Sequence, residues 1–123
     1  FISSDKKLNI SSSWTYFGNI PGIAVRVIKN NIRKIDIFSR IGGEEFAIVL
    51  PNTDLEKTKE LAIKLKNLVE NHTLILDNQE IKITISMGLA TLNEQNQNYN
   101  EIFKTADTNL YEAKHNGRNI IVS

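Results

Sequence analysis

The stretch Arg40-Ile-Gly-Gly-Glu-Glu-Phe-Ala-Ile-Val-Leu50 decides how the rest of the chain is read. A short apolar run (Ile35, Ile37, Phe38) precedes it, and a longer one, Phe46 to Leu50, closes it. A Gly-Gly pair between two apolar segments predicts a two-residue hairpin, because tight primed turns need positive φ, which glycine adopts without a Cβ clash. The two residues after the turn are unusual. Glu44 and Glu45 are adjacent carboxylates at the mouth of a strand, where strand propensity favours Thr or Tyr. Adjacent carboxylates repel, so they persist together when both point into water or when a cation neutralises them. One alternative is therefore a solvated acidic turn. The other is a site for a hard divalent ion and nucleotide phosphates, since Mg²⁺ takes one or two carboxylates plus substrate oxygens, and bare glycine backbone admits a phosphate closely.

Working outward, 123 residues predict one domain with a real core. Apolar content of 41% and charged content of 24% are ordinary for a globular protein. A net charge of +1 gives no basic footprint for nucleic acid. No apolar run approaches the roughly 18 residues of a membrane span, and nothing at the start reads as a signal peptide. Without cysteine there is no disulfide framework and no thiolate site, which fits a cytoplasmic setting, within a longer and membrane-anchored protein or not.

Phe1 to Gly18 is the least regular stretch, with Trp14, Tyr16 and Phe17 expected to pack. Asn19-Ile-Pro21 reads as a helix start, and Ala24, Val25, Ile28 and Ile32 keep helical spacing to about Arg33. Ile35–Ile41 and Glu44–Leu50 are the two hairpin strands, ended by Pro51. Thr53-Asp-Leu-Glu56 reads as a capping box for a long amphipathic helix ending near Asn71. Leu74–Leu76 and the turn Asp77-Asn78 lead into one strand, Ile81 to Ala90, whose apolar residues alternate with Lys82, Thr84 and Ser86 as on a sheet with one buried face. A helix from about Tyr99 to His115 buries Ile102, Phe103, Ala106, Leu110 and Ala113, with Gly117 suited to the left-handed residue past its end. Ile120–Val122 is a last short strand. The expected architecture is an α/β (α+β) sandwich, helices covering a mainly antiparallel central sheet. His72 and His115 read as structural or solvent-facing, since a histidine needs a placed partner to act.

Arg40-x-Gly-Gly-Glu-Glu-Phe46 resembles the motif of the GGDEF family, the diguanylate cyclase domains. Arg33-Lys-Ile-Asp36, Ile83-Thr-Ile-Ser-Met-Gly-Leu-Ala90 and Ala106-Asp-Thr-Asn-Leu-Tyr-Glu-Ala-Lys-His-Asn-Gly-Arg-Asn119 extend the resemblance across most of the chain, in the family's order. It implies a nucleotidyl-cyclase-like fold and the condensation of two GTP into cyclic di-GMP and pyrophosphate by a homodimer with Mg²⁺, downstream of a sensory or receiver domain. It also implies roles. Glu44 is a metal ligand and helper in deprotonating the 3′-hydroxyl, and Glu45 lies at the same metal and nucleotide site. Gly42 and Gly43 form the turn beneath the phosphates, and Lys114 and Arg118 grip the γ- and β-phosphates. Read from residue chemistry alone, Lys114 and Arg118 are a basic helix end complementing the dipole, on one face if the helix extends that far. Arg33 and Asp36 match an inhibitory site for cyclic di-GMP, whose guanine and phosphates suit an arginine fork and an aspartate; the alternative is a surface ion pair.

The departures lie at the front. In an ungapped register Lys6 matches a phosphate-binding lysine and Asn9 the asparagine that reads the guanine edge. Phe1 falls where the family has a second metal-binding aspartate, and Ser3 on the next acidic position. The second guanine-reading residue becomes Gly18 or, after a one-residue shift, Asn19, and Ile10 replaces an acidic neighbour. The family's helix with an Asp-x-Leu-Thr-x-Leu-x-Asn-Arg motif, and most of a central strand, would precede Phe1. The expectation is one GGDEF domain over 1–123 whose N-terminal portion is missing or divergent. It is a cyclase, a degenerate domain that senses cyclic di-GMP or GTP, or a purely structural dimerisation unit.

Overall fold

The computed structural model describes residues 2–4, 24–40, 45–76, 78–91 and 98–123. In chain order these form β1 (Ile2–Ser4), helical residues 24–29 (α1), β2 (Ile37–Arg40), β3 (Glu45–Val49), α2 (Leu55–Glu70), β4 (Thr73–Leu76), β5 (Gln79–Lys82), β6 (Ile85–Gly88), α3 (Tyr99–His115) and β7 (Ile121–Val122). Five strands make the central sheet in the order β2-β3-β1-β6-β7, and β4-β5 is a separate two-stranded ribbon. Among the described strands only the β6–β7 pair is parallel, with α3 as the crossover between them. The mainly antiparallel α/β sheet is as expected.

Three features of the sheet differ from the sequence reading. The front of the chain, read as irregular, supplies the middle strand: Ile2 pairs with Phe46 on one side and Met87 on the other. Three residues are too few to show a period, and long-range pairing makes the strand. The run from 81 to 90 is two strands. β5 pairs with β4, the ladder breaks at Ile83 and Thr84, and β6 enters the central sheet. Ser86, expected on a wet face, is fully buried, because β6 is covered on both sides.

The third difference concerns the hairpin. A two-residue turn at Gly42-Gly43 would place Arg40 opposite Glu45, but Arg40 faces Phe46. The pairing therefore leaves five residues, 41–45, between the last paired positions of β2 and β3. An odd loop reverses the side each following residue faces relative to an even one. Phe46 turns to the core, stacked on Phe38 with centroids 5.3 Å apart.

Two layers of helix enclose the sheet. On one side Phe46, Ile85, Met87 and Leu89 pack with Ala24 and Ile28 of α1 and Ala62, Leu65 and Val69 of α2. Ser86 and Gly88 alternate with those core residues and so face the other side. There α3 lies against bare backbone: a Cβ on Gly88 would sit 2.2 Å from both the Ala106 carbonyl oxygen and the Leu110 nitrogen. Ala106, Leu110 and Ala113 form the inward line of α3. Phe103, expected in that line, is 44% exposed, at the helix's first turns beyond the Gly88 contact.

α2 starts one residue later than the capping box predicts. Asp54 is the cap, its side chain accepting from the Lys57 amide at 2.8 Å. The Thr53 hydroxyl is engaged elsewhere, donating to the Pro51 carbonyl at 3.0 Å and accepting from Arg33. Gly88→Ala is expected to destabilise the fold by about 3 kcal/mol, the upper end of overpacking costs, since backbone cannot step aside as a side chain does. Urea unfolding measures it, and an unchanged midpoint would contradict the close approach of α3.

Candidate active site

Glu45 opens β3 on the α3 side of the sheet, in register with Ser3 of β1. Lys114, in the last turn of α3 and next to the fully buried Ala113, reaches across to it. Its Nζ donates to Glu45 Oε1 at 3.0 Å, with the side chains 19% and 34% exposed. These residues are 69 positions apart. The pair joins the acidic position after the glycines to the basic end of the last helix. A half-sheltered ion pair of this kind holds each charge where water alone would not.

Arg118 does not continue the helical face of Lys114. The helix ends at His115 with Asn116 as its C-cap, and the next three residues are left-handed: Gly117 at φ 103°, Arg118 at 61° and Asn119 at 53°. The Arg118 amide donates back to the Ala113 carbonyl at 3.0 Å, the six-to-one bond of a Schellman ending. Gly117 is thus at the left-handed position the sequence predicts. Arg118 is placed by this turn rather than by a fourth helical residue after Lys114.

Lys6, Asn9, Asn19, Gly42, Gly43 and Glu44, together with Phe1, lie outside the described residues. Both histidines fit the structural reading. His72 is exposed, and His115 stacks on Tyr111 with its Nδ1 2.9 Å from the Tyr111 carbonyl oxygen.

With this geometry in place, comparison with known proteins is decisive. The family model described as the diguanylate cyclase GGDEF domain matches residues 23–120. The chain belongs to the GGDEF family. It is 39% identical over 121 residues to the probable diguanylate cyclase DgcT of Escherichia coli, covering 95% of this chain and 26% of that protein. It is 36% identical over 94 residues to diguanylate cyclase A of Treponema denticola, covering 76% of this chain and 25% of that protein. The chain thus spans about a quarter of the length of these relatives. Among solved structures it resembles the active GGEEF domain of a diguanylate cyclase from Vibrio cholerae, at 28% identity and a TM-score of 0.81, covering 98% of this chain and 79% of that one. No helix among the described residues is long and apolar enough to cross a membrane.

As a GGDEF domain the chain has a second charged cluster, at the base of the hairpin. The Asp36 side chain is only 2% exposed. Its Oδ2 accepts from the Arg33 amide at 2.7 Å, and its Oδ1 from Arg33 Nη2 at 2.8 Å and Nε at 3.1 Å. Arg33 Nη2 also donates to the Pro51 carbonyl and the Thr53 hydroxyl, each at 2.9 Å. This is neither a loose surface pair nor an open aspartate. Arg33, 51% exposed, faces a shallow cavity of ≈ 330 Å³ that Asn31, Lys57 and Leu61 also line. Burial alone would raise the Asp36 pKa, but the hydrogen bonds and charge of Arg33 outweigh it and hold the carboxyl below its ordinary value.

A larger cavity, ≈ 790 Å³, lies elsewhere, at the far end of β3 among Leu50, Leu61, Leu89, Ile102 and Phe103. It touches neither Glu45 nor Lys114, and we do not place the chemistry there. Sequence reasoning missed the Thr53 and Pro51 acceptors of Arg33, and the bonds by which Asn119 donates its amide to Ser86 Oγ and its Nδ2 to Glu70. No local pattern signals contacts between residues 33 and 49 positions apart.

The pH sign of Asp36 is set by its lowered pKa. Its contribution to stability is complete above the ordinary aspartate value of 3.8 and is lost as pH falls through the lower folded-state value. Asp36→Asn is therefore expected to be less stable than the parent at pH 7, with the gap closing at pH 2 to 3. Urea midpoints at the two pH values measure it; a gap that widens in acid would contradict the assignment.

Proposed function

We propose that this domain is a diguanylate cyclase that condenses two GTP into cyclic di-GMP and pyrophosphate, each of two copies presenting one GTP. The observation that carries this reading is the 3.0 Å contact between Lys114 Nζ and Glu45 Oε1, which brings the last helix to the acidic position that follows the glycines in sequence. In each half-reaction the 3′-oxygen of one GTP bonds to the α-phosphorus of the other. The bond from that phosphorus to the bridging oxygen breaks, pyrophosphate leaves, and the 3′-proton passes to a base, for which Glu44 is the candidate. Catalysis of this kind is mostly positioning and charge neutralisation.

Lys114 and Arg118 neutralise the β- and γ-phosphates in this reading, Gly42 and Gly43 admit them, and Lys6 adds a further cation. Asn9 and Asn19 read the guanine. Among the described residues no three or more metal-ligating side chains converge. Mg²⁺ binds through one or two carboxylates and substrate phosphates rather than a full protein cage. Glu45, a hard oxygen donor one-third exposed, fits such a role, with Glu44 beside it in sequence. Bound there, Mg²⁺ would supply charge stabilisation to the transferring phosphoryl group. Phe1 and Ser3 offer no second carboxylate, so turnover is expected to be slow.

Cyclic di-GMP inhibition is assigned to Arg33, whose exposed guanidinium lies beside Lys57 at the shallow cavity. Asp36 holds the fork in place, and a guanine edge would have to draw it away from Arg33. A degenerate domain that binds nucleotide without turnover is the second reading, favoured by Phe1.

Purified protein with GTP and Mg²⁺ is expected to release pyrophosphate and form cyclic di-GMP. Glu44→Gln and Lys114→Ala should each lower the rate by about 10²-fold, the scale of losing one stabilising group. Arg33→Ala should abolish cyclic di-GMP binding in calorimetry. Product binding without turnover selects the sensor, and failure to bind either nucleotide removes both readings.

A further inference from the structure

Arg118 sits in an uncommon place for an arginine, the middle of three successive left-handed residues. Left-handed backbone crowds a Cβ against the carbonyl, so only glycine, and to a lesser extent Asn or Asp, visits it routinely. Such a conformation persists where its surroundings over-determine it, and it clusters at functional sites. Here the determinants stand on both sides. Before Arg118, the Schellman bond from its own amide to Ala113 fixes the helix ending. After it, Asn119 is tied to two other elements. Its amide donates to the fully buried Ser86 Oγ on β6 at 3.1 Å, and its Nδ2 donates to Glu70 Oε1 at the end of α2 at 3.2 Å. Glu70 is itself paired through Oε2 with Lys66 at 3.4 Å. One residue further on, the Ile120 carbonyl accepts from the Met87 amide at 3.0 Å, fastening the chain to β6.

We infer that Asn119 is a positioning residue, which through Ser86 and Glu70 holds the left-handed backbone of Arg118 and so aims its guanidinium at the nucleotide phosphates. This rests on the reading of Arg118 as a phosphate ligand. Three contacts from three parts of the fold meet at the bend that carries Arg118, while Arg118 itself is exposed. The network joins polar groups, the fully buried Ser86 among them, and ties the segment before β7 to both β6 and α2. Its effect is to remove the freedom of one backbone bend. A fixed bend matters for a long side chain: a small change in φ at Arg118 displaces the guanidinium by several times the shift at Cα, and phosphate recognition by a fork depends on angle as well as distance.

The test is a double-mutant cycle on GTP affinity in Mg²⁺, read by calorimetry alongside thermal unfolding. Asn119→Gly keeps a backbone that favours positive φ and removes the Glu70 contact. It is expected to weaken GTP binding about tenfold, the size of one impaired charge-assisted contact. In the Arg118→Ala background the same change should have no effect on GTP, because there is then nothing to aim. Glu70→Ala, which removes a partly exposed carboxylate and leaves residue 119 intact, should reproduce the pattern should Asn119→Gly fail to fold. A loss of stability alone, or an affinity loss of equal size in both backgrounds, overturns the inference while leaving Arg118 as a ligand. If Arg118→Ala itself leaves GTP binding unchanged, the reading of Arg118 fails, and the positioning role fails with it.

Discussion

The site depends on how closely α3 approaches β6. Gly88 brings helix backbone to within 2.2 Å of where a Cβ would be, a separation that no other residue permits. The helix is thereby fixed along its axis and about it. Because successive helical residues advance about 1.5 Å and turn about 100°, an alternative seating one residue along would carry Lys114 off the side that meets Glu45. The buried inward line of Ala106, Leu110 and Ala113 gives the same constraint from the helix side. Lys114 comes directly after Ala113, so the first charged position past the buried line is the one that reaches the acidic strand end. Packing on one side of the sheet thus decides the electrostatics at its edge.

The two sides of the sheet are used differently. Where α1 and α2 pack, the inward residues include Ile28, Phe46, Leu65, Ile85 and Met87, an apolar mass. Where α3 packs, the strand positions are Gly88, Ala47 and Ser86, small or hydroxylic, and the contacts at Gly88 are between backbones. The apolar side contributes most of the hydrophobic stabilisation, at roughly 25 cal/mol per Å² buried. On the second side the Lys114 side chain, only 19% exposed, brings its ammonium to Glu45 at 3.0 Å. The apolar mass and the Lys114–Glu45 ion pair thus lie on opposite surfaces of one sheet.

Much of this is legible in the residues. α3 runs from Tyr99 to His115 as its apolar spacing predicts, and α2 and β3 lie within a residue or so of their expected limits. The illegible part involves contacts far apart in sequence. β1 is three residues whose strand character comes from Phe46 and Met87, neither of them near in the chain. The cap of α2 is Asp54 rather than Thr53 because Arg33, 20 residues upstream, takes the threonine hydroxyl. The hairpin parity escapes a local reading because Gly-Gly satisfies several loop lengths, and the register is set by what Phe46 must bury. The meeting of Glu45 with Lys114 is indicated by the family pattern, while the network around Asn119 has no sequence signal at all.

Arg33 and Lys114 stand at opposite ends of the same hairpin, and their different chemistries suit the two places. At the base, one guanidinium must satisfy a carboxylate, a carbonyl and a hydroxyl from separate residues at once. Only a planar fork with several fixed donors does this; an ammonium on the same stem reaches one such acceptor well and leaves Asp36 buried with less than its full complement. At the tip, Lys114 meets a single carboxylate oxygen, and a compact charge on a flexible stem can change partners without rebuilding the backbone. Between them the ladder runs unbroken from Ile37–Val49 to Arg40–Phe46 and continues into β1 through Ile2. The base is therefore held by one guanidinium shared among Asp36, Pro51 and Thr53, and the tip by a single ammonium–carboxylate contact.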